Sequence, residues 1–156
     1  MKKRLRWIGI SLVIVFCAIQ LVVPPRDNPP VDHSATITTQ PDLPPQISAR
    51  LRASCFDCHS NETRWPWYSY VAPVSWLVAD DVETGRHHLN FSEWGKFTPS
   101  KKVVKLGQIY EQVSMGEMPL QKYLYMHSDA RLTPADRDSL MHWAEQERDK
   151  LTGGDD

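Results

Sequence analysis

Two cysteines and a histidine occur within five consecutive residues of this 156-residue chain, Cys55-Phe56-Asp57-Cys58-His59. Two thiols separated by two residues can each form a thioether to one of the two vinyl groups of a haem, and the adjacent histidine is then held under the iron. The motif therefore predicts one covalent haem c, attached through Cys55 and Cys58, with His59 as the proximal iron ligand. In so short a chain the haem would form much of the core.

A C-x-x-C pair is also found in redox dithiols and in zinc sites. A redox dithiol is expected within a βαβ pattern, which this sequence lacks. A zinc site needs a fourth ligand besides the two cysteines and His59, and the sequence has no second C-x-x-C or spaced histidine pair. The third cysteine, Cys17, lies in an apolar run, and three cysteines are too few for a disulfide scaffold. Covalent haem is the interpretation that these features favour.

The sixth iron position needs its own donor, and Met118 is the first candidate. It stands in Gly116-Glu117-Met118-Pro119, a loop between two predicted helices, and its thioether is a soft neutral ligand that favours reduced iron. The nearest rival, Met115, is predicted to pack at the end of a helix. Two alternatives stay open: a vacant sixth position, and ligation by one of the other histidines, which are His33, His87, His88, His127 and His142.

Aromatic residues follow the motif directly, at residues 61–70. Trp65, Trp67 and Tyr68 are predicted to form a wall over the porphyrin that excludes water, with Arg64 or Tyr68 reaching a haem propionate. The alternative is that these rings only cap a small core. Both interpretations place the segment beside the haem.

An apolar run at the amino terminus, residues 7–23, follows four basic residues. As a helix it spans about 26 Å at about 1.5 Å per residue, close to the hydrocarbon core of about 30 Å. No small-x-small site follows the run, which favours an uncleaved anchor over a cleaved signal peptide. The sequence therefore predicts a single membrane-spanning anchor within residues 1–23. The positive charges place residues 1–6 in the cytoplasm and the rest of the chain on the periplasmic side of the cytoplasmic membrane.

Seven of the twelve prolines lie in residues 24–45. Such a segment favours an extended, polyproline-like conformation and is predicted to be a linker that reaches up to about 70 Å. The haem-binding domain is then predicted to occupy residues 46–152. The sequence thus predicts an anchor, a stalk and one globular head.

Apolar residues in the head recur at helical spacing, and no long alternating strand pattern is present. The first helix leads into Cys55, and a second is predicted at about residues 72–88, with Val74, Val78 and Val82 on its buried face. Thr98-Pro99 and Thr133-Pro134, each a cap residue followed by a first-turn proline, begin two more. The predicted fold class is all-α, a cytochrome c-like helical domain behind the anchor and stalk.

Three stretches of the sequence resemble the small haem-binding domain family of exported bacterial proteins related to cytochrome c: residues 55–69, 72–77 and 89–94. The resemblance continues through Gly116-Glu117-Met118-Pro119 to the final predicted helix, so it covers nearly all of the head and none of the stalk. It implies haem attachment at Cys55 and Cys58 with His59 as the proximal ligand. It also puts Met118 where a cytochrome c supplies its distal methionine.

Residues 7–156 carry 14 basic and 19 acidic side chains, a formal net charge of −5. This balance disfavours nucleic-acid binding, which needs a basic face. It predicts redox partners with a basic docking patch, and Asp80, Asp81 and Glu83 are candidate contact residues. The function predicted first is a membrane-anchored monohaem c-type cytochrome that transfers single electrons in the periplasm. Two alternatives need an open sixth position: a peroxidase-like enzyme assisted by Arg64 or a histidine, and a haem-based sensor of a small ligand.

Overall fold

The computed structural model describes residues 1–153, and in this range the chain is helical and contains no strand. The all-α prediction is therefore confirmed for the described residues. The α-helices in this range are α1 (Lys2–Ile19), α2 (Pro45–Ser54), α3 (Phe56–His59), α4 (Val74–His88), α5 (Pro99–Ser114), α6 (Gln121–Leu124) and α7 (Pro134–Thr152). Short 3-10 helices join them at His33–Ala35, Ile37–Thr39, Trp67–Tyr70, Phe91–Lys96 and Ser128–Ala130.

The membrane-spanning anchor predicted at residues 7–23 is wrong. The helix begins at Lys2 and ends at Ile19, so its first turns are cationic and its uncharged part spans only about 20 Å at about 1.5 Å per residue. The side chain of Gln20 then makes two hydrogen bonds to the backbone of Ala72, at 2.9 and 3.2 Å. Among residues 1–153 no helix is long and apolar enough to cross a membrane. This finding overturns the predicted single-pass topology and, with it, the localisation in the cytoplasmic membrane with a periplasmic head.

The Pro-rich segment at residues 24–45 packs against the helices instead of extending away from them. Ile37 is 1% exposed and joins the hydrophobic core, and the 3-10 helices at 33–39 lie against the one at Phe91–Lys96. The contact is close, because a Cβ added to Gly95 would lie 3.0 Å from the Cα of Ala35. Residues 33–39 therefore contribute to the same core as the helices that follow.

The core lies between α2, α5 and α7 and the 3-10 helix at Phe91–Lys96. Its most deeply buried large side chains, at 0–1% exposure, are Ile37, Leu51, Phe91, Leu106 and Leu140. Full burial of such a side chain stabilises the folded state by about 1.5–3 kcal/mol. The starts of α5 and α7 are confirmed, since the Thr98 hydroxyl accepts from the Lys101 N–H and Thr133 forms a capping box with Asp136.

The buried face of α4 differs from the predicted valine stripe. Val74 is 42% exposed, whereas the buried residues are Ser75, Ala79, Val82 and Gly85. Three of these four side chains are small or absent, which lets α4 approach α3 closely. Packing distance, and not apolarity alone, decides which face of α4 is buried.

Candidate haem site

The Cys55–His59 motif forms a break between two helices followed by one helical turn. Cys55 ends α2 in a non-helical conformation, with φ −127° and ψ −36°, and its carbonyl accepts from the N–H groups of Cys58 and His59 at 3.2 and 2.9 Å. Both thiols are free and half-buried. Burial raises the pKa of each to about 12, with the charge of Asp81 a second cause at Cys58, so both are neutral thiols near pH 7.

The imidazole of His59 is oriented by the carboxyl end of α4. Its Nδ1 lies 2.9 Å from the carbonyl oxygen of Gly85 and 3.1 Å from that of Leu89. Because a carbonyl oxygen can only accept, Nδ1 carries the proton, and Nε2 keeps a lone pair for a metal. Burial lowers the pKa of His59, which favours the neutral ring that a metal ligand requires. Such a second hydrogen bond is the usual means of orienting a ligating histidine.

Gly85 is a residue of the site that the sequence interpretation missed. A Cβ at this position would lie 2.5 Å from the carbonyl oxygen of Cys58 and 3.1 Å from its Cβ. Any side chain here would push α4 away from the motif, and the carbonyl of Gly85 would move with it. The only sequence signal for this role is the position of Gly85 inside a predicted helix. Glycine destabilises a helix interior, so its presence there indicates close packing against a neighbour.

Arg86 is a second residue that the sequence interpretation missed. It donates to the carbonyl of Ser60 at 2.8 Å, to the carbonyl of Asp27 at 3.0 Å, to the side-chain oxygen of Asn28 at 2.7 Å and to the hydroxyl of Thr63 at 2.8 Å. The guanidinium of Arg86 thus links the Pro-rich segment, through hydrogen bonds, to the turn that follows the motif. No local sequence pattern predicts this role of Arg86, because its acceptors lie as many as 59 positions away.

Asp57, between the two cysteines, is buried and accepts hydrogen bonds from two side chains. The guanidinium of Arg64 donates to it at 3.2 and 3.3 Å, and the hydroxyl of Tyr123 donates at 2.8 Å. The bond to Asp57 raises the pKa of Arg64. Arg64, which was predicted to reach a propionate or assist a peroxidase, is thus paired within the protein. Tyr123 was not singled out from the sequence.

The predicted aromatic wall is divided among three different environments. The Trp65 indole N–H donates to Asn28 at 3.3 Å, and Trp67 is 70% exposed. The hydroxyl of Tyr68 lies 3.4–3.5 Å from the ring nitrogens of His127. Burial raises the pKa of Tyr68, and the charge of Asp57 adds to the effect.

Met118 is half-buried in the loop between α5 and α6, where its backbone N–H donates to the carbonyl of Gln112 at 3.2 Å. Gly116 adopts the left-handed conformation, with φ +73°, which only glycine takes without strain. After Met118 the chain forms α6, where Tyr123 bonds to Asp57 and Lys122 forms a 2.7 Å ion pair with Asp81 of α4. The segment that follows the Met118 loop is therefore bound to both α3 and α4 through α6.

The rival ligands lie in different surroundings. Met115, predicted to pack, is 63% exposed. His127 lies beside Tyr123 and Tyr68, near the motif, whereas the histidines at the surface are His33, His87, His88 and His142. Within residues 1–153 no three His, Cys, Asp or Glu side chains gather as a metal-ion site would require.

The residues present fit a haem. A neutral imidazole with a free Nε2 adjoins two free thiols on one turn, which is the donor set that covalent haem attachment needs. The family model of the haem-binding domain matches residues 14–146, so the match begins within α1 and includes the Pro-rich segment that the resemblance left out. No curated protein and no solved structure matches the chain. The chain belongs to the haem-binding domain family.

Proposed function

We propose that this haem-binding protein is a monohaem c-type cytochrome that transfers single electrons. Cys55 and Cys58 hold the haem covalently, His59 is the proximal ligand, and Met118 is the sixth ligand. The observation that carries the proposal is the orientation of His59, which lies on the turn that bears both thiols and whose Nδ1 donates to the carbonyls of Gly85 and Leu89 at the end of α4. A bound haem supplies one-electron iron chemistry.

The chain's own residues provide the conditions for such a carrier. Gly85 and Leu89 hold the proton of His59 on Nδ1 through their carbonyls, so the imidazole needs no rearrangement to act as a ligand. The guanidinium of Arg64, although largely exposed, pairs with the buried carboxylate of Asp57 and neutralises the one carboxylate inside the motif. Met118, as a thioether, adds no charge. A site built in this way changes little between the two oxidation states.

Replacing Met118 by alanine removes the proposed sixth ligand. In the oxidised, haem-loaded protein we expect the weak red thioether-to-iron charge-transfer band to disappear, while haem content stays unchanged because attachment depends on the cysteines. The matched control is Met115→Ala, three residues earlier and 63% exposed, which should leave the band intact. If the unaltered protein is high-spin and lacks the band, the sixth position is open and the carrier proposal gives way to peroxide-turnover and gas-binding assays.

The acidic face of α4 is the proposed docking surface for a redox partner with a basic patch. Asp80 and Glu83 are exposed. Asp81 forms an ion pair with Lys122 and is therefore left unchanged in the test. At low ionic strength, Asp80→Lys with Glu83→Lys should slow electron exchange with cationic ruthenium hexaammine roughly several-fold, and added salt should remove the difference. The control is Asp138→Lys with Glu145→Lys on α7, which changes the net charge equally. Equal slowing in both variants would exclude the α4 face as the docking surface.

A further inference from the structure

The segment after Met118 is bound to the centre of the haem motif by one hydrogen bond to a buried carboxylate. The hydroxyl of Tyr123 donates to Oδ2 of Asp57 at 2.8 Å. Asp57 occupies a position between the two haem-attaching cysteines, and Tyr123 lies five residues after Met118 in the sequence. This bond therefore connects the part of the chain that carries the proposed sixth ligand to the part that carries the proximal one.

The acceptor of this bond is held rigidly. Asp57 is 8% exposed, and its other hydrogen bonds come from the backbone N–H and the guanidinium of Arg64, at 3.2 to 3.3 Å. A buried carboxylate is costly unless its oxygens are bonded, and bonds to an ionised acceptor are the strong ones. Loss of the Tyr123 donor would leave Oδ2 with the single donor from Arg64, whose side chain is 69% exposed.

The donor is held as well. The ring of His127 stacks on the ring of Tyr123, with centroids 4.0 Å apart and planes 13° apart. Nδ1 of His127 lies 3.1 Å from the carbonyl oxygen of Tyr123, and the hydroxyl of Tyr68 lies 3.4–3.5 Å from the two ring nitrogens of His127. These contacts leave the phenol ring little freedom, so its hydroxyl stays directed at Asp57.

The same segment makes a second contact, an ion pair between Lys122 and Asp81, which is weaker because it lies nearer the surface. Lys122 pairs with Asp81 at 2.7 Å, but the Lys122 side chain is 51% exposed and the Asp81 side chain 23%. Pairs of this kind contribute little, because water screens them and two long side chains have to be ordered. Of these two contacts, the bond between Tyr123 and Asp57 is the stronger, because its acceptor is 8% exposed.

We propose that Tyr123 is a positioning residue for the sixth iron ligand: its hydrogen bond to Asp57 holds the loop at residues 116–124 against the motif and keeps Met118 in place. The inference rests on the proposed function, in which Met118 is that ligand. Tyr123 acts through the loop and is not itself a ligand. It should therefore affect how readily Met118 is displaced and leave haem attachment unchanged.

The test compares Tyr123→Phe with Tyr125→Phe in the full, haem-loaded chain. Tyr123→Phe keeps the ring that stacks on His127 and removes only the hydroxyl, whereas Tyr125 is 80% exposed and serves as the matched control. Imidazole is titrated into the oxidised protein as a competing ligand. We expect Tyr123→Phe to bind imidazole about tenfold more tightly and to show a weaker charge-transfer band, since a hydrogen bond to a charged group is lost. Tyr125→Phe should match the unaltered protein.

Thermal unfolding separates positioning from a general loss of structure. The titration is made well below the unfolding temperature of both variants, and if Tyr123→Phe does not fold, Asp57→Asn takes its place, because it weakens the same bond and keeps an acceptor. Unchanged imidazole affinity and band in Tyr123→Phe, with the band lost in Met118→Ala, would overturn this inference and leave the proposed function standing. A band that survives in Met118→Ala would overturn both.

Discussion

Replacing Cys55 and Cys58 together by alanine is expected to abolish covalent haem retention. In the proposed attachment each thiol supplies one thioether, so the double variant should lose all haem on extraction with acidified acetone, and each single variant should keep a weaker attachment through the remaining cysteine. Haem staining of the denatured protein after electrophoresis measures the result directly. The effect is expected to be complete in the double variant, because these two bonds are the only covalent links that the proposal contains.

The matched control for the double variant is Cys17→Ala. Cys17 is an exposed cysteine of α1, and its removal should leave haem staining at the level of the unaltered protein. Stain that persists in the double variant would show that haem is held without thioethers, with His59 as a ligand of a noncovalent haem. The c-type assignment would then be abandoned, while membership of the haem-binding domain family would stand.

Replacing Gly85 by alanine should destabilise the protein and disturb His59. The new Cβ would lie 2.5 Å from the Cys58 carbonyl oxygen, which is backbone and cannot swing aside, so α4 has to move. Overpacking of this kind costs about 1–3 kcal/mol of unfolding free energy. In a chain of this size the melting temperature falls by about 2–4 °C for each kcal/mol. Haem loading should fall as well, because the Gly85 carbonyl that orients His59 moves with the helix.

Gly107→Ala is the same chemical change, but it is expected to raise the stability of the protein instead of lowering it. Gly107 lies within α5, and a Cβ there meets nothing within 4 Å. Alanine in place of glycine at an open helical position stabilises by about 0.4–1 kcal/mol, mainly by restricting the unfolded chain. Thermal unfolding of the haem-free proteins by circular dichroism compares the two variants. If Gly85→Ala melts at the same temperature as Gly107→Ala, then α4 does not approach the motif as closely as the structure shows.

The motif and the helical class were predictable because their signals are local. A C-x-x-C-H pattern carries its chemistry within five residues, and the starts at Thr98 and Thr133 depend on hydroxyls that bond to N–H groups three positions away. The orientation of His59 was not predictable in the same way. Its partners, Gly85 and Leu89, lie 26 and 30 positions further along the chain, and a backbone carbonyl has no sequence signature.

The amino-terminal segment shows how a correct local pattern led to a wrong element. The apolar run continues to residue 23, but the helix ends at Ile19, and the side chain of Gln20 that follows pairs with the backbone of Ala72. Similarly, the Pro-rich segment has the composition of a free tether, yet Ile37 fills a space in the core and Arg86 binds the backbone of Asp27. Both outcomes depend on surfaces that exist only once the helices have packed.

The sequence by itself determined the haem motif, the helical fold class and the family, because covalent chemistry, helix caps and apolar periodicity act over a few neighbouring residues. Only the tertiary structure decided where α1 ends, how closely Gly85 lets α4 approach Cys58, and that Tyr123 bonds to Asp57 from 66 positions away. Those features are distances between remote parts of the chain. They are set by the mutual fit of packed surfaces, which a local pattern does not encode.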